Sequence, residues 1–375
     1  MDLEKQYETV EALICPVTKL GLELVTLEIA QERMNGELGP RAESVNAKGK
    51  VSKPAGLTPQ VLLREDLKCA YPVVDGIPIL LAPEALTVAK DQAVFDLTDA
   101  RYAEAYEEMA FYNSVASNAS EKLERGGAES ILPTELAATA EERASFPAPW
   151  QRWVDTVHDS AALWDAYIHL GPYKNRRILQ LGGSGTHVIK FAMAGADESW
   201  LITPMLGEAS IARGLAESAG VGDRFRCVVA IAEELPIKSE TFDRVFVGGS
   251  LHHMQTELAI PEAARVLREG GKFAAVEPWR APLYAIGTKI LGKREDAYCT
   301  PLTAKRVGPM NAAFRNSNTV QHGTITRYAF LALTKFGINV NKRFPWYAGK
   351  VDDAICSIVP GMREMGSSIA VLGDK

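Results

Sequence analysis

What this chain of 375 residues has little of already narrows its class. Cysteine is scarce: five, an odd number and widely scattered, suit a reduced cytoplasmic setting rather than a disulfide framework. No apolar run approaches the roughly 18 residues of a membrane span, and the opening Met-Asp-Leu-Glu-Lys-Gln lacks a signal-peptide pattern. Positive charge is not in surplus. With 41 Lys and Arg against 47 Asp and Glu, the net charge of −6 argues against tight nonspecific nucleic-acid binding. No internal repeat is evident. Apolar content of 47% and charged content of 23% suit a soluble globular protein, long enough for one large domain and a small one.

What is present is a run of alternating strand and helix patterns from Arg177 to Trp279. An apolar strand, Arg177 to Leu181, runs straight into Gly182-Gly183-Ser184-Gly185-Thr186-His187. A helical run from Val188 to Gly195 follows, then a strand from Ser199 to Thr203 and a helix over about 207–219. The third strand, Phe225 to Ala230, leads into Ala232-Glu233-Glu234-Leu235-Pro236. The fourth, Phe242 to Val247, ends in Gly248-Gly249-Ser250-Leu251-His252-His253. Helix 257–268 and a strand from Gly271 to Glu277 close the series. This spacing predicts an α/β fold, a doubly wound and mostly parallel sheet that binds ligand at the strands' carboxyl ends. A glycine loop there lets backbone approach a ligand and aims amide groups at it from a helix start. His252 and His253 follow the fourth strand on that same side, where imidazole can serve as a base near neutral pH. The other reading packs one ring inward and sets the other at a helix end. His187 is expected on the helix after the loop, and His158 and His169 on helix faces.

This order of motifs resembles the class I S-adenosylmethionine-dependent methyltransferases. Glu233-Glu234-Leu235-Pro236, Phe242-Asp243, Leu251-His252-His253 and Leu267-Arg268-Glu269-Gly270-Gly271-Lys272 are similar to the branch that includes quinone-biosynthesis methyltransferases. The resemblance implies a Rossmann-like core, S-adenosylmethionine as methyl donor and S-adenosylhomocysteine as product. It also implies a small-molecule acceptor methylated at O, N or C by in-line displacement. Gly182, Gly183 and Gly185 match the positions that hold the methionine end, Thr203 the ribose and Glu233 the neighbourhood of the adenine. Gln180, Ala232 and Ser250 complete the implied cofactor set, and His253 or His252 is implied to face the acceptor.

The chain departs from the family pattern where charge is usual. Gln180 stands for an acid in the first strand, Thr203 for the acid that takes the ribose hydroxyls, and Ile231 for an Asp facing the adenine amine. Each lost charge-assisted bond is worth about 1.5–3 kcal/mol. Glu208, Glu233 and Glu234, each just past a strand end, are the candidates to restore it. Two function classes stand: a methyltransferase, or a degenerate fold serving as a scaffold or partner subunit or recruited to another reaction. An acidic side chain at the ribose position supports the enzyme; a large apolar residue filling that space supports the scaffold.

The amino end differs in character. Ala12 to Lys19, then Cys69-Ala70-Tyr71-Pro72-Val73-Val74-Asp75-Gly76-Ile77-Pro78-Ile79-Leu80-Leu81, resembles a small zinc-ribbon-like module found as the activator of tRNA and protein methyltransferases. That resemblance implies a partner-binding habit, through a homodimer or a methyltransferase paralogue. Asp75-Gly76 is a hairpin signal between two β-rich runs. Thr18 stands where a second cysteine would complete Cys-x-x-Cys with Cys15, and a structural zinc site takes four ligands, so no metal is expected. The expected divisions are a small α+β module over 1–83 with an insertion at about 28–60, a helical connector over 84–170, a core over 171–281, and an acceptor lid with final strands over 282–375. The last strand is expected around Ser367 to Leu372, and the loop from Pro278 to Tyr284 is expected over the site. Trp150, Trp153, Val154, Val157, Trp164 and Ile168 follow helical spacing and read as core rather than a substrate wall. The basic run from Lys289 to Arg294, with Lys305, Arg306 and Arg315, either holds an anionic group of the acceptor or forms a solvated face. His322 is a second candidate for acceptor contact.

Overall fold

The structure is a computed structural model describing residues 9–40, 56–88, 99, 101–107, 109, 159–282, 284, 300–326, 328–329, 333, 336–338 and 343–375. The amino-terminal part forms strands β1 (Leu22–Thr26), β2 (Leu38–Pro40), β3 (Gln60–Arg64), β4 (Ala70–Val74), β5 (Ile77–Pro78) and β6 (Leu86–Val88). These make one antiparallel sheet in the order β1-β3-β4-β6-β2, with β5 paired to β4. The expected hairpin is present. Asp75 and Gly76 take φ of 49° and 76°, the left-handed pair that a two-residue turn between twisted strands requires.

The segment expected as an insertion at about 28–60 opens with regular structure. Helix α1 (Leu27–Arg33) is capped by Thr26, whose hydroxyl accepts from the Ile29 amide. Ala30 and Met34, one turn apart, are buried in one cluster with Leu38, Val61, Leu63 and Leu86. The helix is too short to show a periodicity, which is why the sequence reads as loop there. Strand β6 also carries this sheet past the expected limit at residue 83, into what was expected as helical connector. Residues 41–55, and most of the connector with Trp150, Trp153, Val154, Val157 and His158, lie outside the described residues.

The large unit begins with helix α2 (Ser160–Leu170) and strand β7 (Arg177–Leu181). Helix α3 (Thr186–Met193), β8 (Glu198–Thr203), α4 (Leu206–Ser218) and β9 (Phe225–Val229) follow. Then come β10 (Phe242–Gly248), α5 (Thr256–Val266), β11 (Leu267–Pro278), β12 (Asn316–His322), α6 (Arg343–Ile358) and β13 (Ser368–Asp374). The seven strands lie in the order β12-β13-β11-β10-β7-β8-β9. Strands β7 to β11 are mutually parallel, and β13 and β12 are added antiparallel. The predicted doubly wound, mostly parallel α/β sheet is therefore the observed fold. Helix α5 ends two residues earlier than expected, because Leu267 already pairs with Phe242 and Gly270, at φ 72°, forms a bulge before the regular ladder.

Side-chain alternation builds a core on each face. Phe246 joins α2, α3 and α4 on one side, while Val245 and Val247 join α5 on the other. Trp164 packs partly buried on the first of these cores, as a core reading expects, whereas Ile168 is exposed. The amino-terminal sheet is built into the same cores: Leu62, Tyr71 and Leu80 share the α5 side, and Ile77, Ile79 and Leu81 the other. Its backbone pairs with the large unit too. The Leu80 amide donates to the Val229 carbonyl at 2.8 Å, and Leu13 bridges to Ile237. Chain order reverses between β7 and β10, since the chain leaves β7 for β8 and β9 and returns on β7's other side. A crevice opens at the carboxyl ends of such strands.

Candidate functional site

An open cleft lies at that crevice. Its wall includes Gly182 and Gly183 after β7, Thr203, Met205 and Glu208 after β8, Ile231 to Glu233 after β9, and Ser250, His253 and Met254 after β10. Arg101, Glu104 and Ala105, from a helical turn over 101–107, close one side. Of the candidates, Gly182, Gly183, Thr203, Ala232, Glu233, Ser250 and His253 line this cleft. Gln180, Gly185 and His252 do not, and each is explained by a local contact.

Gln180 is 1% exposed and serves the loop itself. Its Nε2 donates to the Gly182 carbonyl at 2.8 Å, and its Oε1 accepts from the Val188 amide at 2.8 Å. One side chain thus ties the loop to the first turn of α3, which an acid could do at only one of these two ends. Gly185, at φ 77°, is there for packing: a Cβ would stand 2.7 Å from that of Ala212 on α4. Gly183, at φ 75°, takes a left-handed backbone conformation, and a built Cβ there would be in ordinary contact with Gln180 and the Gly248 carbonyl. Gly182 needs its bareness because Ser250 Oγ, which donates to the Leu181 carbonyl, would lie 2.5 Å from a Cβ.

At the end of β8 a carboxylate from the next helix meets Thr203. Thr203 Oγ1 donates to Glu208 Oε2 at 2.7 Å, and Glu208 sits in the first turn of α4 on the cleft wall. After β9, Glu233 Oε1 accepts from the Gln255 amide at 2.8 Å. Burial pushes its carboxyl up to about 7, against that hydrogen bond and with the charges of Glu104 and Glu234 adding to the rise. Unfolded, the group titrates near 4.5, so the fold holds an extra proton between these values. Stability is then expected to fall as pH rises from about 4.5 through 7, by on the order of 3 kcal/mol. Thermal melts of the ligand-free protein across this window should show the decline, and Glu233→Gln should flatten it. An equal decline in the variant assigns it to another group.

The two histidines part company. His253 lines the cleft, and its Nδ1 lies 2.6 Å from Glu104 Oε1. His252 is buried, with Nδ1 2.6 Å from Glu277 Oε2, while Glu277 Oε1 accepts from the amides of Ser250 and Leu251. Of the two expected bases, His252 is not on the cleft wall: its ring sits behind the turn after β10, against Glu277. Arg306 braces the same turn, donating to the carbonyls of His252 and Met254 at 3.0 and 2.9 Å, rather than presenting charge to an acceptor. His322 is paired with Asp165 at 2.7 Å on the β12 side and is not part of the cleft. Arg315 forms an exposed pair with Glu269, and Trp279 is absent from the cleft wall. The run from Lys289 to Arg294 lies outside the described residues.

Sequence reading missed Arg101 and Glu104. They stand one helical turn apart, opposite Tyr102 and Tyr106, which are buried. That pattern marks an amphipathic turn but carries no hint of which site its polar face meets. Cys15 and Cys69 are buried free thiols, with Cys15 Sγ 3.3 Å from the Tyr71 hydroxyl. Among the described residues no group of three metal-ligating side chains comes together, and no helix is long and apolar enough to cross a membrane.

Residues 179–275 match the methyltransferase-domain family. A tRNA U34 carboxymethyltransferase from Psychrobacter arcticus is 36% identical over 113 residues, covering 28% of this chain and 32% of that protein. A 27-O-demethylrifamycin SV methyltransferase from Amycolatopsis mediterranei is 38% identical over 102 residues, or 26% and 37% of the two chains. The ubiquinone/menaquinone biosynthesis C-methyltransferase UbiE of Acidiphilium cryptum is 29% identical over 143 residues, or 34% and 57%. The match thus spans from a third to somewhat over half of these relatives' lengths.

Proposed function

We propose that this chain transfers the methyl group of S-adenosylmethionine to a small-molecule acceptor at O, N or C. The observation that carries the reading is Glu208, a carboxylate hydrogen-bonded to Thr203 on the cleft wall at the end of β8. The chain's own residues fit such a ligand. Gly182 and Gly183 leave the backbone bare for its amino-acid end, Glu208 accepts from its ribose hydroxyls, and Met205, Ile231 and Ala232 offer apolar walls to its base, with Glu233 beside them. When bound, the cofactor supplies a methyl group already activated by the sulfonium, so the protein's main task is positioning. His253 is the side chain of the wall suited to take the acceptor's proton.

Calorimetric titration with S-adenosylmethionine and S-adenosylhomocysteine tests the proposal. Both should bind, and Glu208→Ala should weaken both by about tenfold to a hundredfold, the worth of one charge-assisted hydrogen bond. Failure of the native chain to bind either would overturn the reading in favour of a scaffold that keeps the fold without the chemistry.

A further inference from the structure

We infer that Glu104 is a positioning residue for methyl transfer, holding His253 in the tautomer that takes the acceptor's proton. The inference rests on the reading above and adds a component from outside residues 179–275, the segment that matches the methyltransferase domain. Both side chains line the cleft, and Glu104 Oε1 lies 2.6 Å from His253 Nδ1. A carboxylate at that distance keeps the ring proton on Nδ1 and makes Nε2 the basic nitrogen. During transfer the acceptor atom bonds to the methyl carbon, and the carbon–sulfur bond breaks with its electron pair remaining on sulfur. The acceptor's proton passes to Nε2, and Glu104 balances the imidazolium charge until that proton leaves to solvent.

The pair is held from both sides. On the Glu104 side, Arg101 and Tyr102 both donate to Glu234, and the Tyr106 hydroxyl donates to Glu84 Oε1 at 2.9 Å. The turn over 101–107 is thereby fastened to the large unit through Glu234 and to the amino-terminal module through Glu84. On the other side, Arg306 grips the carbonyls flanking His253, and the His252 ring lies 4.1 Å from the His253 ring between centroids. An ion pair serving only to tie a surface helix down has no need of fastening at both ends. Supporting bonds of this kind are what a pre-set proton acceptor requires.

Nitrogen NMR of the full-length chain, labelled at imidazole and saturated with S-adenosylhomocysteine, reads the tautomer directly. His253→Asn identifies the resonances. In the native chain the His253 proton is expected on Nδ1, and in Glu104→Ala it should shift toward Nε2, the form a free imidazole favours. Glu104→Asp should recover the native pattern. A native proton on Nε2, or a pattern indifferent to Glu104→Ala, overturns the inference while leaving the cofactor reading intact. Absence of S-adenosylhomocysteine binding by the native chain removes that reading instead, and the role in methyl transfer with it.

Discussion

Replacing His253 by alanine is expected to lower turnover by roughly a hundredfold to ten-thousandfold, the usual contribution of a positioned general base. Affinity for S-adenosylhomocysteine should remain near native, because the cofactor side of the cleft is built from the ends of β7, β8 and β9. The measurement is the initial rate of S-adenosylhomocysteine release at saturating acceptor, set beside a calorimetric Kd. A loss confined to turnover marks a group used in the transition state, whereas a loss in binding marks one used by the ground state as well. His252→Ala makes the informative contrast, since that ring is committed to Glu277 and its removal should act through stability. Should His253→Ala turn over normally, the base lies elsewhere. Glu233 is then the first alternative, because burial sets its carboxyl near 7 on the same wall.

The second large effect concerns Glu277, at the end of β11 and 1% exposed. Its carboxylate meets the His252 ring and the amides of Ser250 and Leu251. Glu277→Ala strands these donors in a space without water, and breaking a buried pair by removing one member costs about 3–5 kcal/mol. For a protein of this size that is a fall in Tm of roughly 4–6 °C. Glu277→Gln, which keeps an acceptor oxygen in place, should lose clearly less. Melting curves for the native chain and both variants decide the matter. If alanine costs no more than a surface substitution, the carboxylate does not hold the turn, and the placement of Ser250 and His253 has another cause.

The sheet was legible because each parallel strand is largely buried and so appears as a mainly apolar run, with a glycine or polar segment at its end. The glycine loop was legible for a similar reason: Gly182 and Gly183 occupy left-handed backbone positions that other residues enter at a cost. What each polar residue does was less legible. Gln180 occupies an expected cofactor position, yet its amide bridges two stretches of backbone, a geometry invisible in one dimension. His252 and His253 are neighbours in sequence, and the turn after β10 sends one ring inward and the other to the cleft. Glu208 could be named as one of three candidates for the charge that Thr203 lacks, because it follows β8 by one helical turn. Glu104 could not, because only the fold brings residue 104 to residue 253. The short helix α1 was missed for want of length, its signal carried by Thr26 and two buried positions.

The two rims of the large sheet have different fates. Strand β9 ends the ladder, yet all five of its residues are buried and the Leu80 amide reaches the Val229 carbonyl beyond it. Strand β12 ends the other rim with Asn316 to Thr319 exposed. Unlimited growth by edge-to-edge stacking requires a molecule with two accessible rims, one to receive a copy and one to offer the next site. Among the described residues this sheet presents one. A ladder that two copies build through β12 would thus leave on each copy a β9 rim whose last residue already pairs with its own chain.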